Sequence, residues 1–244
     1  MTIFAFAGPS LPKAQRHLFS GIVWLPPCEA GDLLRLAPAQ GDKVCIIDGW
    51  FDHRPAVRHK EILLALSEGA ILFGASSIGA LRAAEMTPCG MIGVGRIYRA
   101  FASGRLTGDD EVALVHAPED WDWRPLSLPL VEVRATLCKA VRRRVVTSAE
   151  ARLLMARARR LHYVDRNWHT IGEDLRLPHD RSGEVLNWLA LEYVPQKTLD
   201  AQTCLAAAMA DLPSLAPPPL AVRTTFLEAL IDRCVPPPAP APDR

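Results

Sequence analysis

The chain has 244 residues, of which 49% are hydrophobic and 23% charged, the composition of an ordinary globular protein. Twenty-eight Lys and Arg against 27 Asp and Glu leave a formal charge of +1, so no overall field points to nucleic acid or an acidic membrane. The six cysteines lack metal-like spacing, and no run reaches membrane-spanning length, which together predict reduced thiols, no cofactor and a cytoplasmic setting.

In chain order, Thr2 to Ala7 reads as a strand, closed by a turn at Gly8–Pro9–Ser10. A helix begins at Pro12. Pro26 and Pro27 then break the chain, and a short helix follows over 29–36. Lys43 to Asp48 is a second buried strand ended by Gly49. Ile62, Leu63 and Leu66 share one face of a helix over 56–67, and Ala70–Gly74 is a third buried strand. Small residues turn that strand through Ser76 and Ser77 into a helix over 80–85. Strand and helix alternate throughout, the pattern of an α/β doubly wound, mostly parallel sheet with helices on both faces.

Met91 to Phe101 opens as a glycine-rich loop and becomes helical. Asp109–Asp110–Glu111 reads as a solvated loop before a further strand over 112–116. Beyond about Pro125 the texture is helical, over 130–146, 148–163, 185–191 and 199–209. The predicted organisation is therefore an α/β core over 1–122, a helical region over 123–235 and a disordered proline-rich tail over 236–244.

In open parallel sheets, ligands bind beyond the carboxyl ends of the strands. Those ends carry Gly8 and Ser10, Asp48, and Ser76 with Ser77. A strand that turns sharply into a helix at a serine has the geometry of a nucleophile elbow, although Ser76 and Ser77 also suit a plain helix cap. His59 sits one turn before Ile62 and so should face the sheet, Lys60 to the side and Glu61 away. Either His59 or Lys60 is then a candidate base for Ser77. The Ile78 amide and one from the Gly8–Ser10 turn are candidate oxyanion donors. Arg82 and Glu85 form either a local ion pair or part of a binding site.

These same residues carry a family resemblance. Ile47–Asp48–Gly49–x–Phe51, His59–Lys60–Glu61–Ile62–Leu63 and Gly74–Ala75–x–Ser77–x–Gly79–Ala80–Leu81–Arg82–Ala83–Ala84–Glu85 resemble the TfuA-like core domain. Gly90–Met91–x–Gly93–x–Gly95–Arg96–Ile97 and Asp109–Asp110–Glu111–Val112–Ala113 do so as well, and the resemblance spans about residues 3 to 120. Ile78 stands where the family commonly has methionine, and Gly108 where it has an acidic residue.

The resemblance implies work with a YcaO-type ATP-dependent enzyme that turns a backbone amide of a ribosomally made peptide into a thioamide. It implies hydrolysis of a thiocarboxylated, ubiquitin-fold sulfur carrier to release sulfide, with Ser77 attacking and Lys60 or His59 taking its proton. Gly8, Ser10, Asp48, Arg82, Glu85, Arg96 and Asp110 are the expected substrate-binding positions, with no metal. The alternative is a non-catalytic activator that docks the YcaO enzyme, with the precursor peptide as a further candidate partner, through Arg142–Arg143–Arg144 and Arg157–Ala158–Arg159–Arg160.

Overall fold

The computed structural model describes residues 1–50, 54–173, 179–210 and 224–234. Strands β1 (Ile3–Phe6), β2 (Ile22–Leu25), β3 (Lys43–Ile46), β4 (Ile71–Gly74) and β5 (Ile92–Gly93) form one sheet. Its order is β2-β1-β3-β4-β5, and every pair is parallel. Between the strands lie α1 (Lys13–Arg16), α2 (Asp32–Leu36), α3 (His59–Ser67) and α4 (Ile78–Met86), and α5 (Gly95–Ala102) follows β5. The second half is helical: α6 (Leu130–Arg142), α7 (Ser148–Arg160), α8 (Trp168–Gly172), α9 (His179–Leu191), α10 (Gln196–Met209) and α11 (Thr225–Cys234). The expected disordered tail and Phe51 lie outside the described residues.

Alternation along the strands assigns the two faces of the sheet. Phe6, Val44, Ile46 and Leu72 point to one side, where Leu33, Ile62, Leu66 and Met86 of α2, α3 and α4 meet them. Ala5, Ala7, Cys45, Ile47, Phe73 and Ala75 point to the other. That face is covered from far along the chain, by Ala201, Cys204, Leu205 and Ala208 of α10. Small residues let α10 lie close to the sheet. Buried Lys43 secures its far end by donating to the carbonyls of Ala208 at 2.7 Å and Ala210 at 2.9 Å. A separate core, built on Leu130, Val133, Leu137, Leu154 and Leu189, holds α6, α7 and α9 together.

Three local expectations change. β2 arises just before Pro26 and Pro27, which end it as an edge strand. β5 occupies two residues of the glycine-rich segment. No strand forms over 112–116: Val112 and Ala113 are buried, but the Val115 amide bonds the Ser127 hydroxyl and His116 makes only an isolated bridge to Pro125. No helix of the described residues is long and apolar enough to cross a membrane.

Candidate functional site

The strand order reverses between β1 and β3, and at such a switch point the loops part and leave a crevice beyond the strand ends. Asp48 lies there, 1% exposed. Its Oδ2 accepts from the Gly8 and Ser10 amides, both at 2.9 Å, and its Oδ1 accepts from the Ser10 hydroxyl at 2.6 Å. Three predicted positions therefore meet in one cluster. The expected oxyanion role of the Gly8–Ser10 turn is corrected, because both of its amides are committed to the Asp48 carboxylate.

The turn after β4 is a tight elbow. Ser76 has a left-handed backbone, φ 65°. Gly74 and Gly79 make the turn possible. A Cβ on Gly79 would overlap the Ile46 carbonyl oxygen, and one on Gly74 would overlap the carbonyl of Gly79. Neither serine is a cap. Ser76 donates its hydroxyl to the Lys197 carbonyl at 2.7 Å, and Ser77, the residue before α4, makes no side-chain cap bond. The amides of Ile78 and Gly79 open the helix without a backbone acceptor among the described residues. Among the described residues the elbow thus sets the buried Ser77 hydroxyl beside two amides without an acceptor, at the positive end of a nine-residue helix, a combination suited to attack on an acyl carbon.

The helical half supplies what the first half lacks. The Ser77 amide donates to the Ile47 carbonyl at 3.2 Å, next to Asp48, and Asp48 Oδ1 lies 3.9 Å from Lys197 Nζ. Lys197 is 2% exposed and donates to the Val112 carbonyl at 3.2 Å. Burial pulls its ammonium towards neutrality, against the pull of Asp48 and Glu132. Burial likewise pushes the Glu132 carboxyl up. Glu132 accepts from the Lys197 amide at 2.9 Å and from the Tyr193 hydroxyl. Burial and the neighbouring Glu132 push the Tyr193 phenol up in turn. A cavity of about 410 Å³, lined in part by Pro9, Leu128, Glu132, Tyr193 and Lys197, opens on this cluster. Lys197 and Glu132 escaped the sequence reading. The available signal was a lysine and an aspartate, Lys197 and Asp200, on the buried face of an Ala-rich helix.

Other predicted residues sit apart. The His59 ring is half exposed, and its Nε2 meets Glu85 Oε2 at 2.8 Å. It does not face the sheet, because Glu61 takes the inward position: fully buried, it accepts from the Gly31 amide at 2.7 Å and the Arg58 amide at 3.1 Å. Burial raises the Glu61 pKa to about 7, opposed by those two amides. Lys60 Nζ donates to Thr224 at 2.6 Å. Arg82 bonds the Val57 carbonyl at 2.9 Å and Glu85 at 2.7 Å, so the pair extends to His59 on the outer end of α4. Glu85 lies eight positions beyond Ser77, about 12 Å along a helix. Arg96 is exposed at the start of α5. Asp110 is not a freely solvated loop residue: buried Arg166 holds its carboxylate at 2.9 Å and its carbonyl at 2.9 Å. Glu111 beside it takes a bidentate pair from Arg134. No group of three or more metal-ligating side chains exists among the described residues.

Residues 48–167 match the family model described as TfuA-like protein. The match begins at Asp48 and runs past the α/β elements through α6 and α7 to Asn167. None of the curated proteins matches the chain.

Proposed function

Because the chain belongs to the TfuA-like family through residues 48–167, we propose that it hydrolyses the C-terminal thiocarboxylate of a ubiquitin-fold sulfur carrier. The sulfide released supplies a YcaO-type enzyme that makes a thioamide in a ribosomal peptide. The observation that carries this reading is the elbow, where Ser77 keeps its hydroxyl out of capping beside the Ile78 and Gly79 amides, which have no backbone acceptor among the described residues. In the first step the Ser77 oxygen bonds to the acyl carbon, the C–S bond breaks, and hydrosulfide leaves with the electron pair. The thiocarboxylate is an anion, so its sulfur takes up the proton lost by Ser77 in order to depart as hydrosulfide. The Ile78 and Gly79 amides receive the developing oxyanion. Water then cleaves the ester, returning the carrier carboxylate and the Ser77 hydroxyl.

For the serine proton, His59 and Lys60 give way to Lys197. The first two are engaged with Glu85 and Thr224, whereas the Lys197 amine adjoins Asp48 at the strand edge and is pulled by burial towards its neutral, proton-accepting form. Asp48 and Glu132 would then stabilise the ammonium that forms. The purified chain, without any YcaO enzyme, should release one sulfide per thiocarboxylated carrier. Recovery of the intact thiocarboxylate, while a YcaO enzyme is still stimulated, would replace the hydrolase by the activator.

A further inference from the structure

A second surface lies on the helical half. One cleft, about 410 Å³, runs between α6 and α7 over Leu137, Val141 and Met155. Another, about 450 Å³, runs between α5 and α6 over Ala100, Leu106 and Ala135. Both are lined by Arg134, Cys138 and Arg142, so they join into one trough across α6. Its floor is aliphatic and its rim is basic: Arg96 and Arg105 at one end, Arg142 in the middle, Arg152 at the other.

The charge on this rim is unbalanced. No carboxylate lines either cleft. Arg134 is paired with Glu111, but Arg96, Arg105, Arg142 and Arg152 have no carboxylate partner among the described residues. Such crowding stands out in a chain whose formal charge is only +1. An apolar trough rimmed by arginines is the complement of an amphipathic helix with acidic flanks. The absence of any aromatic side chain from its lining gives nucleic-acid bases nothing to stack on.

We propose that this trough docks an acidic amphipathic segment of a partner protein, its apolar face against Leu137, Val141 and Met155 and its carboxylates against Arg142 and Arg152. The inference is independent of the hydrolytic reading. The probe is a fluorescein-labelled peptide of leucine and glutamate patterned as one amphipathic helix, titrated with the full chain and followed by anisotropy. Exposed Cys138 gives a second readout, its alkylation by a maleimide with and without peptide.

Binding should weaken about tenfold in the double variant Arg142→Glu and Arg152→Glu. It should persist in Arg160→Glu, which is exposed on α7 but outside the trough, and bound peptide should slow Cys138 alkylation. No binding by the parent chain would overturn the proposal. So would equal binding of the lysine counterpart of the peptide, displacement by a single-stranded oligonucleotide, indifference to the double variant, or unprotected Cys138. Unchanged thermal melting of both variants is the check that they are folded.

Discussion

Ser76 donates its hydroxyl to the backbone carbonyl of Lys197 at 2.7 Å, across 121 residues of sequence. This bond fixes the strand–helix elbow to the start of α10. It sets the Lys197 amine beside Asp48 and leaves Ser77 as the elbow serine whose hydroxyl makes no capping bond.

Replacing Lys197 by methionine should lower both turnover and stability. Loss of a general base costs about 100-fold or more in turnover, and removing the cation that faces the buried Asp48 and Glu132 carboxylates costs about 3–5 kcal/mol of stability. Because burial lowers the Lys197 pKa, activity of the parent should rise with pH and level off below 10.5, the ordinary lysine value. Rates of sulfide release across pH and thermal melting of Lys197→Met check both statements.

Asp48→Asn should destabilise the chain. Its carboxylate takes three donors and faces Lys197; an amide can still accept from the Gly8 and Ser10 N–H groups and donate to the Ser10 hydroxyl, but the charge that strengthens these bonds and pairs with Lys197 is lost, costing on the order of 2–3 kcal/mol. Urea unfolding of the parent and the variant at one pH measures the difference.

Glu61 gives a pH dependence with a defined sign. Its folded pKa of about 7 lies above the ordinary 4.5, so the folded state holds the extra proton. Stability is therefore greatest below 4.5 as far as this group is concerned, and it falls as pH rises from 4.5 towards 7. The loss is on the order of 3 kcal/mol at most. Glu61→Gln should remove that slope, as unfolding curves between pH 4.5 and 8 would reveal.

His59→Ala and Lys60→Ala should both release sulfide within about twofold of the parent rate. His59 pairs with Glu85 on the exposed end of α4, where such a pair contributes about 1 kcal/mol or less, and Lys60 is turned to Thr224. A large loss in either variant, with melting unchanged, would return the base to α3.

Local pattern made β1, β3 and β4 legible, because each is an apolar run closed by a turn. It also placed Gly8, Ser10, Asp48 and Ser77 at one edge, since parallel strands bring their carboxyl ends together. β2 was hidden by its four-residue length and the prolines after it. The run at 112–116 misled because its apolar residues are buried by contact with other elements, not by strand pairing. What sequence could not supply is long-range: α10 reads as one more Ala-rich helix until it is seen lying on the sheet, and only then do Lys197 and Glu132 join Asp48. His59 was misjudged by helical phase, for the capping geometry at Arg58 and Gly31 turned Glu61 inward instead.

The measurement that bears most directly on the proposed hydrolase is sulfide release from a thiocarboxylated carrier by Ser77→Ala, beside the parent, with circular dichroism establishing that both are folded. The account predicts a fall of at least about 100-fold in the variant, the scale expected when a covalent nucleophile is removed. Release by Ser77→Ala at the parent rate would contradict it and remove Ser77 from the chemistry.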